Sequence, residues 1–162
     1  MEEVCEIPAY DTTSNEIMDI LTKVKTIAIV GLSPKDEKDS NKVARYLQQE
    51  GYKIIPVNPN YDEILGLESY PSLSGIPGDI DVVDIFRKPS VVQEIVESAI
   101  QKGAKVIWMQ EGIVNNEAAK KAKNAGLKVV MNKCMMKEHI KMIRQRANST
   151  LKKNALMNSI IR

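Results

Sequence analysis

The sequence predicts a three-layer α/β fold with a mostly parallel sheet of five to six strands. Three observations carry that expectation. Short apolar runs rich in β-branched residues, at 25–30, 52–57, 81–86, 105–109 and 127–131, have the character of strands buried on both faces. The segments between most of them place apolar residues at helical spacing. The chain, at 162 residues, is long enough for one core and too short for two ordinary domains.

The elements follow in order. Thr13 and Glu16 make a capping box ahead of Ile17, Ile20, Leu21 and Val24, so a first helix covers 14–24. The strand 25–30 ends at Gly31, and a polar loop runs over 32–39. Asp39 or Ser40 is placed to cap a second helix that buries Val43, Ala44 and Leu47 and stops at Gly51. The strand 52–57 is halted by Asn58-Pro59. Residues 60–80 are rich in Gly, Pro and Ser and carry at most an edge strand near 68–70 and one helical turn. The third strand, 81–86, leads to a helix with Pro89 in its first turn and Gly103 as its stop. A strand at 105–109, a helix over 116–125 and a strand at 127–131 complete the alternation. That order requires right-handed crossovers and helices on both faces, a Rossmann-like arrangement.

Composition excludes several function classes. Cys5 and Cys134 stand far apart without a CxxC partner, and His139 is the single histidine, so neither a disulfide scaffold nor a metal site is expected. No apolar run approaches the ~20 residues of a membrane span, and the acidic start lacks the pattern of a signal peptide. A cytoplasmic protein without membrane contact is the expectation. Residues 141–162 carry six basic residues and no acids, which leaves 17 basic and 21 acidic residues, a net −4, on residues 1–140. An acidic body with a basic tail does not suit nucleic-acid binding. Residues 1–140 are expected to form the folded domain. The tail, 141–162, is a solvated terminus or a helix offering Leu151, Ala155 and Leu156 to a partner or a second copy.

In a doubly wound sheet, ligands bind beyond the carboxyl ends of the strands, where strand order reverses. The residues just past each strand are therefore the candidates. They are Gly31, Leu32 and Ser33 after the first, Val57 and Asn58 after the second, Phe86 and Arg87 after the third, and Gln110 and Gly112 after the fourth. Gly31 would let backbone amides approach a phosphate, and the helix starting near Ser40 offers unpaired N–H groups. Ser33, Ser40 and Lys42 add hydroxyl and ammonium donors. The dinucleotide fingerprint G-x-G-x-x-G is missing, and Asn58-Pro59-Asn60 stands where a nicotinamide site wants an acid or a base.

Several blocks taken together resemble a known family. Val30-Gly31-Leu32-Ser33, Pro56-Val57-Asn58-Pro59, Asp81-Val82-Val83-Asp84-Ile85-Phe86-Arg87, Trp108-Met109-Gln110-Glu111-Gly112 and Val130-Met131-Asn132-Lys133-Cys134 look like the stand-alone CoA-binding domain proteins. Those are similar to the N-terminal domain of the succinyl-CoA synthetase α-subunit. The resemblance runs from about Asn15 to His139. It implies coenzyme A bound across the strand ends, with the pyrophosphate near the first turn and the adenosine near the second. Relatives commonly carry arginine where this chain has Lys42, a point charge in place of a bidentate fork.

Each singled-out residue has a plainer role beside the functional one. Arg87 is either a phosphate ligand or a surface arginine at a strand end. Trp108 belongs in the core, Cys134 is a structural cysteine, and His139 a plain helix residue. Asp81 and Asp84, three apart on a strand, fall on opposite faces and do not suggest paired-carboxylate catalysis. The reading is thus a CoA- or acyl-CoA-binding protein without evident catalytic residues. An enzyme acting on CoA is the first alternative and a nicotinamide oxidoreductase the second.

Overall fold

The computed structural model describes residues 6–161, so Cys5 and Arg162 lie outside it. The elements are α1 (Ser14–Lys23), β1 (Thr26–Val30), α2 (Asp39–Gln49), β2 (Lys53–Val57), β3 (Glu63–Ile64), β4 (Leu67–Glu68), β5 (Val82–Ile85), α3 (Pro89–Lys102), β6 (Val106–Met109), α4 (Asn116–Asn124), β7 (Lys128–Val130) and α5 (Met135–Ile160). The five strands expected from apolar runs are the five strands of one parallel sheet, ordered β2-β1-β5-β6-β7. The chain leaves β1 for β2 on one side and returns to β5 on the other. Strand order therefore reverses between β1 and β5.

The sheet is packed on both faces, which is why its strands are apolar throughout rather than alternating. Val83, Ile85, Ile107 and Met109 meet Val92, Val96, Ala118 and Ala122 of α3 and α4. Val82, Ile27, Ile29 and Trp108 meet α1, α2 and α5 through Ile17, Leu21, Val43, Leu47 and Met135. The Thr13–Glu16 capping box forms as expected. Gly103 ends α3 in the left-handed region at φ 80°, where a side chain would be strained.

Two expectations require correction. Neither Asp39 nor Ser40 caps α2; the N-cap position is Lys38, with no side-chain cap bond, because the Ser40 hydroxyl is taken by the Ser33 amide. The segment near 68–70 does not extend the main sheet as an edge strand. Instead β3 and β4 form a separate antiparallel pair, and only Tyr70 bridges to Val57. Of the two forms open to the chain beyond 140, the helical one is present: α5 runs unbroken from Met135 to Ile160. Its side chains are exposed from Ile143 onward. Those 18 residues extend the helix by about 27 Å.

Candidate functional site

The reversal of strand order brings Gly31, at the end of β1, against Phe86 and Arg87, at the end of β5. Phe86 N–H donates to Val30 O at 2.9 Å, and Gly31 N–H donates to Val57 O at 2.9 Å. Gly31 has φ 86°, and a Cβ there would stand 2.5 Å from Phe86 O and 2.9 Å from Arg87 Cδ. The glycine is thus required by the contact between two strand ends. Its own amide is spent on Val57 O, so Gly31 itself has no free N–H at this turn.

The loop after Gly31 is held by its own polar groups. Ser33 N–H donates to Ser40 Oγ at 3.0 Å, Asn41 Nδ2 donates to Ser33 O at 2.9 Å, and Asn58 Nδ2 donates to Leu32 O at 3.0 Å. Ser33, Ser40 and Asn58 are therefore scaffold for the turn. Leu32 is fully buried and Val57 nearly so, and their side chains pack in the core. What the turn leaves open is the start of α2. The amides of Asn41 and Lys42 close onto Lys38 O at 3.1 Å, whereas those of Asp39 and Ser40 meet no acceptor among the described residues. Lys42, half-exposed, lies 3.9 Å from Asp39. Arg87 is exposed and makes no ion pair among the described residues.

Two cavities flank this edge on opposite faces of the sheet. The first, about 220 Å³, lies on the α3 face between Gly31, Val57, Pro59, Arg87 and Ile95. It shares Val30, Val57, Pro71, Glu94 and Ile95 with a neighbouring cavity of about 190 Å³ that extends toward Ser98. The second, about 180 Å³, lies on the α2 and α5 face and is lined by Lys42, Phe86, Gln110, Cys134 and Lys137 among others. Six of the eleven expected residues divide between the two spaces, Gly31, Val57 and Arg87 on the α3 face and Lys42, Phe86 and Gln110 on the other, whereas Leu32, Ser33, Ser40 and Asn58 line neither. Gly112 lines neither, and its amide is spent on Asn132 Oδ1 at 2.7 Å. A larger cavity, about 520 Å³, lies away from the carboxyl ends of the strands, between the start of α1 and β7.

Sequence reasoning missed Asp84. It is fully buried, and its Oδ1 accepts from Gln110 Nε2 at 2.7 Å while Oδ2 meets no partner. Burial pushes its carboxyl up to about 7, against partial relief from the Gln110 amide. The sequence signal was an acid among four apolar residues, in Val82-Val83-Asp84-Ile85-Phe86, which is otherwise a two-face-buried strand. Asp81, by contrast, accepts from the Lys25 and Thr26 amides and pairs with Lys105 at the opposite edge. Trp108 is fully buried, and its Nε1 donates to Lys133 O at 2.8 Å.

Cys134 is buried at the start of α5, and burial pushes its thiol up, despite amides of Lys137 and Met136 that pull the other way. That environment suits an inert thiol more than a nucleophile. His139 is more than a plain helix residue. It is buried, its Nδ1 lies 2.9 Å from the Tyr46 hydroxyl, and its ring meets Tyr52 edge-on. Burial lowers its pKa. Among the described residues no three or more His, Cys, Asp or Glu side chains gather as a metal site, and no helix is long and apolar enough to cross a membrane.

Comparison with known proteins places this geometry. An uncharacterized Bacillus subtilis protein, YneT, is 41% identical over 124 residues, covering 76% of this chain and 92% of its own. An ADP-forming acetate–CoA ligase II of Archaeoglobus fulgidus is 36% identical over 104 residues, but this chain spans only 15% of that enzyme. Among solved structures, a hypothetical protein from Pyrococcus horikoshii OT3 superposes with a TM-score of 0.81 at 51% identity, covering 88% of this chain and 99% of that one. The family model described as "CoA binding domain" matches residues 25–140. The chain belongs to the CoA-binding domain family.

Proposed function

We propose that the protein binds coenzyme A, or an acyl-CoA, across the C-terminal edge of its sheet, as a binding module with no catalytic set of its own. The observation that carries the reading is the pair of cavities on opposite faces of the edge, on either side of the β1–β5 switch point, with the open start of α2 at the rim of one of them. The residues fit such a ligand. The unpaired amides of Asp39 and Ser40, with the positive end of the α2 dipole, suit a pyrophosphate. Lys42 on one side and Arg87 on the other bring cations to phosphate groups. The α3-face cavity, walled by Val57, Pro71 and Ile95, suits a flat adenine ring. Asn58, with its side chain committed to Leu32 O, leaves the end of β2 without the acid that would hold a nicotinamide ribose.

In this reading the module comprises the chain up to about residue 140, and the rest of α5 is an appendage. Relatives named as acetate–CoA ligases carry a matching segment as a small part of a longer enzyme, which supports the choice of CoA. Native mass spectrometry of the freshly purified protein tests the proposal. An adduct with the mass of CoA or an acyl-CoA is expected. An adduct of NAD, or no binding of added CoA, would reject it.

A further inference from the structure

Among the described residues, large apolar side chains are buried almost everywhere except on the far part of α5. Six of the eight that stay exposed, Ile143, Leu151, Leu156, Met157, Ile160 and Ile161, stand there. The stretch is also a poor helix by itself. Of the 19 residues from Ile143 to Ile161, six are Asn, Ser or Thr, and a helix of about this length is marginal in water without packing. The family match ends at residue 140, so this extension lies outside the CoA-binding domain.

The apolar residues are not arranged for a lipid surface. Leu156 and Ile160 fall among Lys152 and Lys153, on the side where a membrane-bound helix keeps polar groups, and the stretch has no aromatic residue. One line of the helix, however, is free of charge from end to end. Ile143, Ala147, Thr150, Asn154, Met157 and Ile161 follow the alternating four- and three-residue steps of a heptad seam. The buried His139 and Met142 mark the side of α5 that faces the body, and Ile143 is turned from it by about 70° at 3.6 residues per turn. The seam is therefore open along its length. Leu151 flanks it, whereas Ala155 and Leu156 lie off it, so the line differs from the one expected from the sequence.

We propose that the extension of α5 pairs with the same helix of a second copy, as a parallel two-stranded coiled coil along this seam. A two-fold pair sets each seam residue against itself, so Asn154 meets Asn154 and Thr150 meets Thr150, each a hydrogen-bonding pair. On the flanks Arg146 faces the partner's Leu151 and Lys153 the partner's Asn158, so no cation faces another. The reversed orientation would set the flank of Arg146 and Lys153 against its own copy. About 27 Å of paired helix falls short of a standard interface, so the association is reversible and concentration-dependent. The inference stands apart from the ligand reading.

Analytical ultracentrifugation of the full chain over a roughly hundredfold concentration range tests it. The mass should rise from 18.1 kDa towards twice that value. Residues 141–162 carry six basic residues and no acids, so added salt should strengthen the pair by screening. Weakening by salt would mean that the basic side meets an acidic surface instead, and would overturn the proposal. Met157→Lys should weaken self-association by about tenfold or more, and Asn154→Ile should strengthen it. Leu156→Lys, off the seam, should leave it unchanged. Effects of opposite sign at two seam positions separate pairing from a folding defect. Met157→Cys should cross-link to itself under mild oxidation above the wild-type level, as a parallel pair requires. A chain monomeric across the range, a dimer indifferent to both seam variants, a Met157→Cys chain that does not cross-link, or co-sedimentation with vesicles of phosphatidylserine and phosphatidylcholine would each overturn it.

Discussion

The missing side chain of Gly31 and the carbonyl of Phe86 occupy the same space: a Cβ on Gly31 would stand 2.5 Å from Phe86 O. That contact joins the ends of β1 and β5 at the point where strand order reverses. It ties the candidate site to the fold itself.

Gly31→Ala is therefore expected to destabilise the protein before it affects any ligand. A positive φ on an L-residue and an overpacked contact together amount to roughly 2–4 kcal/mol. For a chain of this size that is on the order of 10 °C in Tm. A thermal melt of Gly31→Ala within 2 °C of wild type, an order-of-magnitude margin set by the same scaling, would show that the strand ends separate easily.

Arg87 and Lys42 should behave in the opposite way. Both are exposed, so alanine substitution should change stability by under about 0.5 kcal/mol. Each should weaken CoA by roughly 10–100-fold if it makes a charge-assisted hydrogen bond to phosphate. Titration with dephospho-CoA separates their roles, because that ligand lacks only the 3′-phosphate. Lys42, beside the start of α2, should keep its effect with dephospho-CoA. Unchanged affinity in both variants for both ligands would move the phosphate site away from the strand ends.

Asp84 and His139 should give stability opposite pH dependences. The Asp84 carboxyl titrates at about 7 in the fold and at 3.8 ordinarily, so protonation favours folding. Its contribution is full below 3.8, is lost as pH rises toward 7, and stays lost above. His139 is held below its ordinary 6.5, so its contribution is present above that value and is lost as the medium is acidified through its folded pKa. Chemical denaturation from pH 4 to 8 should show Asp84→Asn gaining on wild type as pH rises and His139→Gln gaining as pH falls. A flat difference for either variant would mean that the residue does not titrate with folding.

Removal of residues 147–162 should leave the fold and the ligand affinity intact. Arg146 donates to the Thr22 hydroxyl near the end of α1, at the opposite edge of the sheet from the candidate site, and the described residues beyond it, 147–161, are exposed. At concentrations too low for pairing, loss of Tm by more than about 4 °C, the scale of one to two kcal/mol, would show that the extension packs on the body.

The strands, the helices and their order were legible because each rests on local chemistry: apolar β-branched runs, the Thr13–Glu16 box, Pro89 and Gly103. That much also located the edge where a ligand would lie, since parallel topology dictates it. Residue roles at that edge were decided elsewhere. Gly31 was read as space for a phosphate, and Ser33, Ser40 and Asn58 as ligand groups. Their hydrogen-bond partners are far along the chain or on another element, and a donor's partner is not written at its own position. Asp84 shows the limit most clearly. Its sequence neighbours mark a buried strand, but the group that partners the buried acid, Gln110, stands 26 residues away. Local pattern determined the fold of this protein; only the tertiary structure, which brings distant polar groups within bonding distance, decided which of its edge residues are tied into the scaffold and which line a cavity.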